Sequence, residues 1–70
     1  MSPEISAHAE TLRSDARALI ACAERLRAIE AELRAGGGAP EWLHASVRAH
    51  IAACLVAAAD LESAARRLAP

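Results

Sequence analysis

The sequence predicts an all-α fold, an antiparallel two-helix hairpin that assembles into a four-helix bundle through oligomerisation. Alanine and leucine dominate the composition, and the three prolines and three glycines lie near the chain ends or in the middle, so nothing breaks a helix inside either half. Apolar residues recur every seven positions over the first half, as in helices that pack along a seam. We therefore predict one domain, 1–70, with helix 1 over about 3–35, a Gly-rich turn over 36–39 and helix 2 over about 40–68.

The first half has a helix start signal followed by a heptad repeat. Ser2 is a favourable N-cap residue, Pro3 suits the first helical position, and Glu4 places a carboxylate near the positive end of the helix dipole. Large apolar residues and alanines then alternate along the repeat, at Ile5, Leu12, Leu19, Leu26 and Leu33 and at Ala9, Ala16 and Ala23. This alternation predicts a helix that packs closely against a neighbour.

The second half restarts the same pattern, because Pro40 and Glu41 repeat the start signal of the first. Its seam positions alternate in steps of four and three, at Val47, Ile51, Cys54, Ala58, Leu61, Ala65 and Leu68. The three glycines end helix 1 and leave a link of about four residues. Such a short link makes the two helices antiparallel neighbours.

Residues 49–59 carry no charge and present apolar groups on every side of a helix. A helix of this kind is normally covered on all sides, but the chain supplies only one other helix, and 70 residues bury little surface by themselves. We therefore expect the partner to be another copy, in a homodimer, or a similar helical hairpin. Apolar residues in or beside the seams are the candidate interface: Ile20, Ile29, Leu43, Ile51, Leu55 and Val56.

Charge and hydropathy disfavour two other kinds of partner. The formal net charge is −1 and the arginines are spread among carboxylates, so no concentrated positive face is available for nucleic acid. The uncharged run 49–59 is shorter than the ~20 residues that cross a bilayer, which predicts no membrane span. Because no cationic and hydrophobic signal segment opens the chain, we expect a cytoplasmic protein, with secretion without a cleaved signal peptide as the alternative.

Cys22 and Cys54 lie at equal distances from the turn to within one residue, so they are predicted to face each other. A disulfide requires Cα atoms within about 7 Å, which close packing of alanine-rich helices permits. The preferred interpretation in a reducing cytosol is two buried thiols, whereas export would favour the disulfide. His50 stands four residues before Cys54, so these three side chains are also candidate metal ligands.

A second set of candidate metal ligands lies next to the turn. Glu41 and His44 have the Glu-x-x-His spacing of ferritin-like di-iron bundles, and Glu30 or Glu32 lies at a similar height on helix 1. The alternative function from another class is therefore a ferritin-like metal-binding bundle. The preferred interpretation is that Glu41 serves the helix N-terminus and His44 pairs with Glu30 or Glu32, so no cofactor is predicted.

No residues form a credible catalytic set. Ser46 and Ser63 lack convincing His or Asp partners, and the Gly-rich segment lacks the strand and the lysine of a phosphate-binding loop. We therefore expect a non-enzymatic interaction or adaptor module.

The layout resembles the WXG100, or ESAT-6-like, family. The likeness lies in two Ala/Leu-rich helices, in the Leu-x-x-x-Ala pairs Leu12 to Ala16 and Leu19 to Ala23, and in Trp42 at the start of the second helix. Leu43 and His44 follow the tryptophan here, where the family has Trp-x-Gly. The resemblance implies a leaderless helical hairpin that pairs as a homodimer or heterodimer and is exported by type VII secretion.

Overall fold

A computed structural model of the chain describes residues 2–68, which form two α-helices packed against each other as a hairpin. Helix α1 spans Pro3–Gly36 and helix α2 spans Glu41–Leu68. The predicted all-helical hairpin is thus confirmed, and the observed helices differ from the predicted bounds by one residue on each side of the turn. Residues 1, 69 and 70 of the predicted domain lie outside the described residues.

Local signals at both ends account for the length of α1. The Ser2 hydroxyl accepts a hydrogen bond from the Ile5 N–H at 3.2 Å, and Pro3 occupies the first turn. At the other end, the Gly37 N–H donates to the Leu33 carbonyl at 3.2 Å, and Gly37 has a φ of 71°. Because side chains disfavour a positive φ, a glycine at this position lets the chain leave the helix.

Helix α2 begins directly after Pro40, whose carbonyl accepts a hydrogen bond from the Leu43 N–H at 3.0 Å. Glu41 lies in the first turn of the helix, and Arg66 and Arg67 lie in the last. Both ends therefore carry charges of the sign that the helix dipole favours.

Small residues form the contact between the helices. The fully buried side chains recur at multiples of seven residues and are alanines that are at most 2% exposed: Ala9, Ala16, Ala23, Ala58 and Ala65. No large side chain within residues 2–68 is fully buried. Alanine contacts let the two helix axes approach closely, and the leucines therefore lie beside the contact.

The hairpin is a thin rod. It measures 54 × 14 × 13 Å and has a radius of gyration of 16.0 Å, against about 11 Å for a compact domain of this length. Its accessible surface is 4754 Å², whereas a compact monomer of the same mass exposes about 4,200 Å². A single hairpin therefore leaves more surface uncovered than a globular domain of its size.

Candidate functional site

The end of the seam next to the turn is polar. Glu30 lies seven residues after Ala23 on α1, and His44 lies fourteen residues before Ala58 on α2. Both residues therefore stand in the same seven-residue rows as the buried alanines, which we call the alanine lines. The His44 Nδ1 atom lies 3.0 Å from Glu30 Oε2, and the two side chains are only 7% and 14% exposed. His44 was predicted to pair with Glu30 or Glu32, and its partner is Glu30.

Two arginines and a second carboxylate extend this pair. The Arg34 Nε–H donates to Glu30 Oε1 at 2.9 Å, and Arg48 Nη1 lies 3.5 Å from the same oxygen. Arg48 also donates from Nη2 to Glu41 Oε1 at 3.3 Å. We call these five residues, Glu30, Arg34, Glu41, His44 and Arg48, the polar cluster. Because its members come from both helices, the cluster ties α1 to α2 beside the turn.

Electrostatics keep the Glu30 carboxyl ionised. The hydrogen bond from His44 lowers the pKa of Glu30, and Arg34 adds to this effect, although burial acts in the opposite direction. The carboxylate therefore accepts from both neighbours. No buried side-chain nitrogen or oxygen in the described part of the chain lacks a hydrogen-bond partner. The polar cluster is thus internally satisfied, which suits a structural role.

The predicted di-iron ligands are engaged by other side chains or face solvent. His44 binds Glu30, Glu41 binds Arg48, and Glu32 is exposed on α1. Within residues 2–68, no group of three or more His, Cys, Asp and Glu side chains is placed to hold a metal ion. A ferritin-like site would therefore need ligands from beyond the described part of a single chain.

Cys22 and Cys54 are free thiols, and Cys22 is near enough to affect the pKa of the Cys54 thiol. Burial raises the pKa of the Cys54 thiol, and the neighbouring Cys22 adds to the rise. A raised pKa lowers the thiolate fraction and with it the reactivity of the thiol. His50, which was predicted as a metal ligand together with Cys54, places its Nδ1 2.7 Å from the Ser46 carbonyl oxygen. The disulfide stays a prediction.

The hairpin has two unlike faces, one on each side of the seam. In a heptad, a step of three from a seam position turns about 50° to one side, and a step of four turns to the other. Because the helices are antiparallel, the residues three positions after a buried seam residue lie on the same side of the hairpin in both helices. A groove of about 390 Å³ on that side is lined by Asp15, Ala18, Leu19 and Leu61. A groove of about 230 Å³ on the opposite side is lined by Arg13, Arg17, Glu62 and Arg66.

The first side is apolar, and we call it the leucine face. It consists of Leu12, Leu19, Leu26 and Leu33 on α1, Val47, Cys54 and Leu61 on α2, and the flanking residues Cys22, Ile29 and Leu43. All of these side chains are only partly covered in the single hairpin. The opposite side, the arginine face, carries Arg13, Arg27, Arg34, Arg48 and Glu62 around Ile20 and Leu55.

The predicted interface residues are therefore divided among several surfaces. Ile29 and Leu43 flank the leucine face, and Ile29 is 46% exposed. Ile20 and Leu55 lie among the charges of the arginine face, where both are partly buried. Ile51 lies on the seam line of α2, also partly buried.

The sixth predicted interface residue, Val56, lies on the outer surface of α2. It is 62% exposed there, and Trp42, two heptads earlier on the same line, is 70% exposed. Among the described residues, α2 is a helix long and apolar enough to cross a membrane, yet only 11% of its apolar stretch is buried within the hairpin. Core helices of soluble proteins have similar composition but are mostly buried. The apolar surface of α2 thus remains largely uncovered, and the absence of a membrane span stays a prediction.

Sequence reasoning missed two features of this site. Arg48 was not assigned to the polar cluster, although it stands four residues after His44 and seven after Glu41, spacings that place side chains on one helix face. The division into a leucine face and an arginine face was also missed. It follows from the same heptads once the steps of three and four are counted separately.

No protein-family model matches the chain, and no curated protein or solved structure matches it significantly. The function is therefore argued from the residues and geometry of this hairpin.

Proposed function

We propose that the protein is a non-enzymatic helical hairpin that self-associates as a homodimer, forms a four-helix bundle and acts as a cytoplasmic interaction or adaptor module. The observation that carries this proposal is the incomplete cover of the leucine face. Among the apolar residues of the described range 2–68, only alanines are fully buried, while the rows of leucines remain partly exposed. Apolar rows of this length are normally covered by another helix.

The uncovered area has the size of a protein interface. The hairpin exposes 4754 Å², roughly 600 Å² more than a compact monomer of its mass. A standard interface covers about 800 Å² on each partner. A second hairpin placed on the leucine face is thus sufficient to give each chain the surface of an ordinary globular protein.

Self-association also accounts for how so small a core can be stable. Burial of an alanine methyl group contributes little, because the hydrophobic effect scales with buried apolar area. Chains of this size commonly depend on oligomerisation, metals or disulfides. We therefore expect folding and dimerisation to be coupled.

A WXG100-like partner protein of type VII secretion is the alternative within binding proteins. The exposure of Trp42 beside the turn supports it, because 70% of this side chain is free to contact another protein. This alternative predicts a heterodimer with a different hairpin and export without a cleaved signal peptide. A ferritin-like bundle remains the alternative from another class, and it would require the polar clusters of two copies to meet.

Native mass spectrometry and sedimentation equilibrium of the purified chain test the proposal. We expect a metal-free dimer whose melting temperature rises with protein concentration, because dimerisation stabilises the folded state by mass action. A chain that stays monomeric at every concentration would contradict self-association and favour the heterodimer. A mass increment that matches iron would favour the ferritin-like bundle.

A matched pair of substitutions identifies the contact surface. Ile29 and Val56 are both substantially exposed in the single hairpin, at 46% and 62%, so replacement by Glu leaves the hairpin contacts intact. Ile29→Glu should dissociate the dimer, since it places a carboxylate in an apolar interface. Val56→Glu on the outer surface of α2 should leave it dimeric. The opposite pattern, with helicity unchanged, would mean that the outer surface of α2 is the interface.

A further inference from the structure

The rim of the leucine face on α1 carries unpaired charges. This α1 rim consists of His8, Thr11, Asp15, Ala18, Cys22, Arg25, Ile29 and Glu32, which follow one another in steps of three and four. Asp15 and Arg25 are exposed, and within the described hairpin neither forms an ion pair. Charges beside an apolar surface that lack partners in their own chain are available to a second molecule.

We infer that two copies pack leucine face to leucine face, with α1 antiparallel to α1 of the partner subunit and the two turns at opposite ends of the bundle. This inference rests on the self-association proposed above. It adds the surface, the relative orientation and the register of the two copies.

The α1 rim is complementary to itself when it is reversed. With the twofold axis midway between Ala18 and Cys22, Asp15 lies against Arg25 of the partner subunit. In the same register, His8 lies against Glu32 of the partner subunit. Each contact occurs twice because the axis exchanges the two chains. Ala18 and Cys22 meet at the centre, where small side chains permit close approach.

Neighbouring registers lose this complementarity. A shift by one heptad in one direction sets Asp15 against Glu32 of the partner subunit, which places two carboxylates together. The shift in the other direction sets His8 against Arg25 of the partner subunit. The first shift costs free energy because it places like charges beside the interface, and the second leaves Asp15 against Ala18 of the partner subunit without a cation, so one register is favoured over both neighbours.

The other way of stacking two leucine faces is also disfavoured. If both turns lay at the same end, the α1 rim would meet the α2 rim. The α2 rim consists of the matching positions Leu43, Ser46, His50, Ala53, Ala57, Asp60, Ala64 and Arg67. Asp15 would then lie against Asp60 of the partner subunit, and Arg25 would lie against His50 of the partner subunit. The orientation with opposite turns instead joins α2 to α2 through small residues of the α2 rim, including Ala53 and Ala57.

The arginine face is a poorer surface for a second copy. Its charges near the turn are already paired, as Arg34 and Arg48 both contact Glu30. Covering these ion pairs would remove them from water, and the desolvation penalty offsets what the contact gains. The leucine face requires no such desolvation over its central rows.

Charge reversal at Asp15 and Arg25 tests the orientation. Sedimentation equilibrium at low ionic strength should show Asp15→Arg and Arg25→Asp each weakening the dimer about tenfold, because two attractive rim contacts become repulsive. The double variant should restore the wild-type dissociation constant. The two residues are about 15 Å apart along one helix, so the rescue reports a contact between chains. Glu24→Arg, an equal charge change away from the leucine face, is the control.

Every outcome supports or overturns the inference. If Asp15→Arg tightens the dimer, Asp15 faces a carboxylate, either Asp60 of the partner subunit with both turns at one end or Glu32 of the partner subunit in a shifted register, and the inferred packing is overturned. If the double variant remains as weak as the single ones, the register is wrong, although self-association stands. A monomeric wild-type protein overturns the inference together with the proposed function.

A distance measurement provides a second test that needs no charge change. Ala35 is exposed at the turn end of α1 and accepts a spin label as Ala35→Cys, in a chain whose native cysteines are replaced by alanine. Pulsed electron paramagnetic resonance should give about 45 Å between the two labels if the turns lie at opposite ends. A separation of about 20 Å would place the turns together and overturn the inference.

Discussion

Replacing a seam alanine by leucine should weaken the hairpin strongly. Ala16 is 0% exposed, and the register set by the Glu30–His44 contact places it opposite Ala58, which is 2% exposed. The three additional carbons of Ala16→Leu have no space between the helices, so the axes must separate. Overpacking of this kind costs about 1–3 kcal/mol. At about 4–8 °C per kcal/mol for a small domain, the melting temperature should fall by roughly 5–20 °C.

Circular dichroism melts at one fixed protein concentration measure this change, because dimerisation makes the melting temperature depend on concentration. Ala28→Leu is the control, since Ala28 is exposed on α1 and the substitution changes helix propensity equally. The control should melt close to the wild type. An Ala16→Leu variant as stable as Ala28→Leu would refute the alanine seam.

Three further outcomes are expected. The His44 hydrogen bond is the main cause that lowers the pKa of Glu30 from 4.5 in the folded state. The contribution of Glu30 to stability is therefore complete above about pH 4.5 and is lost as the pH falls through the folded pKa. In thermal melts between about pH 7 and pH 3, Glu30→Gln should lose less stability on acidification than the wild type, and an equal loss would contradict this role. Iodoacetamide should alkylate Cys54 more slowly in the native protein than in urea, because burial raises the pKa of its thiol and the nearby Cys22 adds to the rise. Mass spectrometry measures the two rates, and equal rates would mean that the Cys54 thiol is exposed to solvent. Gly37→Ala should lower the free energy of unfolding by about 1–3 kcal/mol, since Gly37 has a φ of 71°. The control Gly36→Ala changes a helical residue whose added Cβ meets nothing within 4 Å, so it should be neutral or stabilise by up to ~1 kcal/mol. Comparable losses of stability for both variants would refute the turn geometry.

The two helices were predictable because their signals are local. The Ser2 hydroxyl and the ring of Pro3 act on backbone groups within one turn, and the glycines act on the residue that leaves the helix. The heptad of alanines identified the buried line as well, since Ala9, Ala16 and Ala23 were expected at the contact. Each of these inferences needs only the spacing of residues within one helix.

The faces of the hairpin depend on the relation between two helices. Whether Ile29 and Cys54 share a surface follows from the antiparallel sense together with the direction of each heptad step. An assignment by apolarity alone placed Ile29 and Val56 in one interface, although they lie on different surfaces. The reach of Arg48 to Glu30 depends in addition on the side-chain conformation of a long residue, which residue spacing does not specify.

The polar cluster explains how an alanine seam acquires a single register. Alanine packs against alanine equally well after a shift of one heptad, so the buried line alone specifies the alignment weakly. The same shift would set Glu30 against Ile51 or His44 against Ala23, which would leave a buried polar group without its partner. A polar pair at one position of an apolar seam is a known way to fix register. Because this pair lies beside the turn and on the alanine lines, it aligns α1 with α2 without occupying the leucine face, which stays apolar and available to a second copy.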